Sequence, residues 1–134
     1  MKQDEGFKTC LWFATGAEAQ EAAEFYVSVF PNSNITQVCT YPVDWMGKPA
    51  GEVLSVQYEL NGRTMIHLNG GEVDGAKFNI GISFEVPCDD QDEVEYYTDK
   101  LSAVPEAEQC GWVCDRCAVL GCALLCAALF GRSS

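Results

Sequence analysis

The sequence predicts an α+β fold: two β-α-β-β-β modules in one domain, about residues 7–71 and 78–130. Three observations carry this. "FKTCLWFATGAEAQEAAEFYVSVF" from Phe7 aligns without a gap to "FNIGISFEVPCDDQDEVEYYTDKL" from Phe78, with five identities: Phe7/Phe78, Phe13/Phe84, Gln20/Gln91, Glu24/Glu95 and Tyr26/Tyr97. Each copy opens with strand-like alternation and then shifts to helical spacing. Three further strand-like segments follow the first helix.

In the first copy, Thr15-Gly-Ala-Glu18 has the pattern of a capping box, a hydroxyl at the N-cap and a glutamate three residues on. Ala22, Tyr26, Val29 and Phe30 then fall on one stripe, and Pro31-Asn32 ends the helix. "NITQVCTYPV" (34–43) and "EVLSVQYELNG" (52–62) read as strands. Asn61-Gly62 is a strong two-residue hairpin signal, so "RTMIHLN" (63–69) returns antiparallel. In the second copy Phe78, Ile80, Ile82, Phe84 and Val86 alternate with more polar residues, which predicts a strand over 78–86. Asp89, Asp90, Asp92 and Glu93 then crowd a first helical turn, where negative charge suits the dipole. Val94, Tyr97 and Leu101 form that helix's apolar stripe.

His67 is the single histidine of the chain. Ile66 and Leu68 share a face and are expected to pack on the helix with Leu54, Val56, Tyr58 and Leu60. That parity turns His67 to the opposite face with Met65 and Asn69, beside Gln57 and Glu59 of the neighbouring strand. Ser83 and Glu85 hold the equivalent polar face in the second module. A half-polar sheet face meets either bulk water or a ligand. His67 is therefore either a ligand-contacting residue of a pocket, or a solvated or merely structural histidine. Glu59 and Glu85 are either acid/base or ligand groups or ordinary solvated glutamates. Trp45, in the Gly- and Pro-containing loop "VDWMGKPAG", either rims the pocket or packs elsewhere. Trp12 alternates with Leu11 and Phe13, so one of these two faces enters any cup the sheet forms.

Composition narrows the function classes. The formal net charge is -12, which repels phosphate backbones and argues against nucleic acid. The longest apolar run, Ala118–Phe130, is too short to span a bilayer of about 30 Å as a helix. No basic, apolar leader is visible, so a soluble cytoplasmic protein is expected. Among the 8 cysteines, Cys110, Cys114, Cys117, Cys122 and Cys126 cluster late in the chain. Their spacing offers one CxxC and no second close couple, which suits buried thiols better than a zinc knot or a redox pair.

The segments "CLWFATGAEAQEAAEFYVSVFPNSNIT", "PAGEVLSVQYELNGRTMIHLNGGE", "FNIGISFEVPCDDQDEVEYYTDKLS" and "EQCGWVCDR" resemble the vicinal oxygen chelate superfamily of glyoxalases, bleomycin-resistance proteins and extradiol dioxygenases. The resemblance is closest to its PhnB-like branch, often named demethylubiquinone methyltransferase, and covers most of residues 7–116. It implies a cupped, glyoxalase-like mixed or antiparallel sheet and a homodimer. In the enzymatic relatives a metal is held by one residue on each of four strands. By position these fall at Thr9, at His67, near Gly81 and on the final strand. Thr9 is a poor ligand, Gly81 offers no side chain, and 118–134 contains no Asp, Glu, His or Gln. The superfamily's metal site is thus expected to be missing, with no cofactor in its place.

The expectation that follows is a small-molecule-binding protein with His67, Gln57, Glu59, Asn69, Ser83, Glu85 and Trp45 about its ligand. It has no nucleic-acid partner and no membrane partner. The alternatives are a metal-dependent glyoxalase- or dioxygenase-type enzyme, or a methyltransferase. Against the last, Gly70-Gly71 follows a strand but no GxGxxG pattern or helix start follows it.

Overall fold

The computed structural model describes residues 6–76, 78, 82–102, 112–113 and 123–125, the last two stretches as backbone. The chain divides into two compact units, Met1–Lys77 and Phe78–Ser134.

The first unit has the order β1 (Thr9–Phe13), α1 (Gly16–Val29), β2 (Asn34–Thr40), β3 (Val53–Leu60) and β4 (Arg63–Asn69), the expected β-α-β-β-β. Its sheet runs β1-β4-β3-β2, with β1 and β4 parallel and the other pairs antiparallel. Local chemistry explains the boundaries. Thr15 is the N-cap of α1, and its hydroxyl accepts from the Glu18 N–H at 3.1 Å. Asn61 and Gly62 both take positive φ, 49° and 84°, as the turn that joins two twisted strands requires.

One face of the sheet is covered by α1, which buries Ala19, Ala22, Ala23, Tyr26 and Val29. The sheet answers with Phe13, Val56, Tyr58, Met65, His67 and Asn69, all buried. Alanines along the contact stripe bring the helix backbone close to the strands. Gly16 is closer still: a Cβ there would stand 2.8 Å from the Val53 carbonyl oxygen.

The second unit contains β5 (Glu85–Val86), α2 (Gln91–Leu101), β6 (Trp112–Val113) and β7 (Ala123–Leu125), in a sheet of order β5-β7-β6. Asp90 caps α2 by accepting from the Glu93 N–H at 2.9 Å, and Glu93 reaches back to the Asp89 N–H at 2.7 Å. Val94 and Leu101 are buried as the stripe predicts, and Tyr97 is half-buried. The strand expected over 78–86 is shorter: among the described residues only Glu85–Val86 is strand, and Ile82 is exposed. Pro87 follows at once, and α2 begins a turn later than the repeat alignment with α1 implies. Cys110, Cys114, Cys117, Cys122 and Cys126 lie outside the described residues.

Candidate functional site

The pairing register decides which side chains are available for binding. Across β3 and β4, Val56 stands opposite His67 and Tyr58 opposite Met65. Directly opposed residues share a face. His67, Met65 and Asn69 therefore lie with Val56 and Tyr58 beneath α1, and Ile66 and Leu68 are on the other side. This corrects the expected parity. The physical reason is the two-residue turn: it pairs Leu60 with Arg63, and a one-residue error in register exchanges the faces of a whole strand.

His67 is fully buried. Its Nδ1 lies 2.8 Å from the Ala19 carbonyl oxygen and its Nε2 lies 2.7 Å from the Tyr58 hydroxyl. A carbonyl can only accept, so Nδ1 carries the proton, and Nε2 accepts from the Tyr58 O–H. The ring lies 4.5 Å from the Phe13 ring and edge-on to Tyr58 and Tyr26, at 4.8 and 6.1 Å. Burial among aromatics disfavours the charged imidazolium and lowers the pKa to about 4, against the opposing pull of the Ala19 carbonyl. His67 is a neutral rivet between sheet and helix. Asn69 is also fully buried, and its Nδ2 donates to the Val53 carbonyl at 2.9 Å.

The face away from α1 carries two rows. Trp12, Leu68, Ser55 and Cys39 stand across the four strands in one row, and Cys10, Ile66, Gln57 and Gln37 in the next. Leu68, Ile66, Ser55 and Gln57 are half-buried. Glu59 is on this face opposite Thr64, whose hydroxyl donates to its Oε1 at 2.8 Å. Burial pushes the Cys10 thiol above its usual range, so it remains protonated and weakly nucleophilic. The open face thus offers apolar surface, one indole, the Ser55 and Thr64 hydroxyls, the Gln57 and Gln37 amides, the Cys10 and Cys39 thiols and the Glu59 carboxylate.

Trp12 is held in a defined pose. Its indole N–H donates to the Gly71 carbonyl at 2.8 Å. At Gly70 a Cβ would fall 2.2 Å from the indole carbons. Next to this end of the sheet the β2–β3 loop folds back. Met46 and Gly47 turn with φ of 44° and 82°, and the Trp45 and Lys48 backbones exchange hydrogen bonds of 2.8 and 2.7 Å. Lys48 Nζ donates to the Ala14 carbonyl at 3.0 Å and pins the loop. A shallow hollow of about 290 Å³ is lined by the loop residues Asp44 to Pro49, with Trp45 exposed on it.

Of the expected site residues, Gln57 and Glu59 stand together on the open face, and His67 and Asn69 are removed from it. Trp45 lies on the loop. Ser83 and Glu85 belong to the second unit, the first half-buried just before β5 and the second exposed within it. Sequence reasoning left Trp12, Ser55, Ile66 and Leu68 out of the site. The Asn61-Gly62 turn, which sets the β3–β4 register, was the signal that could have found Ser55, Ile66 and Leu68; Trp12 follows from the pairing of β1 with β4.

Two of the metal positions implied by the resemblance, Thr9 and His67, meet the same correction; Gly81 lies outside the described residues, and the final strand is described only as backbone over Ala123–Leu125. Thr9 pairs with Met65 and Leu11 with His67, so Thr9 and His67 both stand on the α1 side. On the open side their strands present Cys10, Trp12, Ile66 and Leu68. These do not form a divalent-metal donor set, and among the described residues no group of three or more His, Cys, Asp or Glu is placed to hold a metal.

The fold and this two-faced sheet define a class: a mixed α+β protein of the PhnB or glyoxalase-like type. A putative 3-demethylubiquinone-9 3-methyltransferase, PhnB protein, from Bacillus cereus shares the fold, with a TM-score of 0.67 and 24% identity over 90% of this chain and 99% of that one. A protein from Staphylococcus aureus aligns at 23% identity over 88% of this chain and 92% of that one, with a TM-score of 0.38. No curated protein matches the chain. The family model described as 3-demethylubiquinone-9 3-methyltransferase matches residues 5–120, and the chain belongs to that family. No helix among the described residues is long and apolar enough to cross a membrane.

Proposed function

We propose that this protein binds a small molecule on the open face of its first sheet, without a divalent metal. The observation that carries the reading is the division of the sheet. Its one histidine is consumed in the core, and the opposite face presents apolar residues beside Ser55 and Gln57. Among the described residues no hydrogen bond engages either of these two side chains. A concave or partly covered apolar surface with a few polar groups is the usual form of a ligand site.

The methyltransferase activity in the family's name finds little support in the first unit. A Rossmann-type enzyme cradles its cofactor between a strand, a glycine-rich turn and a helix. Here β4 and Gly70-Gly71 are followed by a turn at 74–75. The homodimer implied by resemblance to the vicinal oxygen chelate superfamily belongs to the same proposal and is measurable by light scattering.

The test is amide chemical-shift mapping with a small-molecule fragment set, with and without EDTA. The expected shifts fall on β1, β3 and β4 residues of the open face and are unchanged by the chelator. Binding that requires a divalent ion, or that maps to other surfaces, would overturn the reading.

A further inference from the structure

Trp12 is placed more carefully than packing alone requires. Its ring fills the space where a Gly70 side chain would begin, with indole carbons 2.2 Å from that position. Gly70 does not need to be glycine for its backbone, since it is not in the left-handed region that Gly71 occupies with φ of 85°. Its N–H continues the sheet ladder to the Phe13 carbonyl at 3.0 Å, an ordinary strand contact. Close approach of the indole is the remaining reason for the missing Cβ. The indole N–H is already used by Gly71 at 2.8 Å. The ring therefore has no donor to offer, and its orientation is set from two sides.

Despite this, Trp12 remains 38% exposed, on the open face and in register with Leu68. A large apolar ring that is fixed but uncovered presents its π surface and little else. Fixing it in advance removes the entropy that a mobile side chain would lose on contact with a ligand.

Resting on the binding face proposed above, we propose that Trp12 is a stacking platform within it, and that the ligand class taken there carries a flat, conjugated ring. The protein's acidity and the electron-rich indole face both favour a ring that is neutral or electron-poor over an anionic one. Leu68 and Ile66 extend the apolar floor beside the platform, and Ser55 is in reach of the same row.

The experiment compares two neutral probes of matched size, 2-naphthol and decahydro-2-naphthol. It uses protein carrying Trp45→Phe and Trp112→Phe, so that Trp12 is the only fluorophore of its kind. Binding is read by Trp12 fluorescence and by its indole N–H resonance, and affinities come from amide shifts. The expected result is that 2-naphthol binds about 3- to 10-fold more tightly than its saturated analogue. Trp12→Leu brings that ratio to about one, and Trp12→Phe restores part of it. A ratio near one in the starting protein, or a ratio unchanged in Trp12→Leu with an intact amide spectrum, would overturn the platform while leaving the binding face in place. Shifts for both probes away from β1, β3 and β4, or no binding by either at millimolar concentration, would overturn the platform and the binding face together.

Discussion

The buried histidine makes stability depend on acidity in a defined window. In the folded protein the His67 pKa is lowered from 6.5 to about 4. In the unfolded chain it titrates near its ordinary value. Between these two values the unfolded state holds more protons than the folded one, so stability rises with pH and is lost as pH falls. Linkage puts the loss from this one group at about 2 kcal/mol at pH 5 and about 3 kcal/mol at pH 4, relative to neutral pH, from the values for His67. Its packed neighbours Phe13, Tyr26, Tyr58 and Ala19 include no carboxylate that could rescue the imidazolium. The comparison is made against a variant that lacks only this proton site. His67→Gln keeps a side chain able to donate and accept. Urea unfolding at pH 7.5, 6, 5 and 4 is the assay. The wild type should lose stability relative to the variant by the amounts given. Parallel curves for the two proteins would refute the argument and mean that His67 is protonated in the fold or reached by water.

Gly70→Ala should force the indole from its bed, because the new carbon would overlap it at 2.2 Å. A red shift of Trp12 emission and a loss of about 1–3 kcal/mol are expected, and an unchanged spectrum would count against the pose. Thr15→Ala removes the α1 cap and should cost about 1 kcal/mol in urea unfolding, largely recovered by Thr15→Asp. Lys48→Met keeps the stem but loses the contact to Ala14; hydrogen exchange should speed up in the Trp45–Lys48 turn while β3 and β4 remain protected.

Much of the first unit was readable from residue order because its signals are local. Capping, turn chemistry and period-two alternation act over a few residues, and they located α1, the β3–β4 hairpin and the existence of two unlike faces on β3 and β4. The second unit was less legible. Alternation over 78–86 predicted a full strand, yet among the described residues regular pairing is confined to Glu85–Val86. A strand exists only where a partner backbone accepts it, and alternation does not name the partner.

The site shows the same limit in sharper form. By hydrophobicity, Ile66 and Leu68 should be inside and His67 and Asn69 outside. The fold does the reverse, because burial of a polar group depends on whether it finds hydrogen-bond partners. Those partners are the Ala19 carbonyl and Tyr58 hydroxyl for the two nitrogens of His67 and the Val53 carbonyl for Asn69 Nδ2, 48, 9 and 16 residues away; the buried Asn69 Oδ1 has none among the described residues. Residue order establishes that β4 has two dissimilar faces. Which one faces the helix follows from the register of the hairpin and from contacts that form when α1 settles on the sheet, and that choice leaves Trp12, Ile66 and Leu68 on the face away from α1.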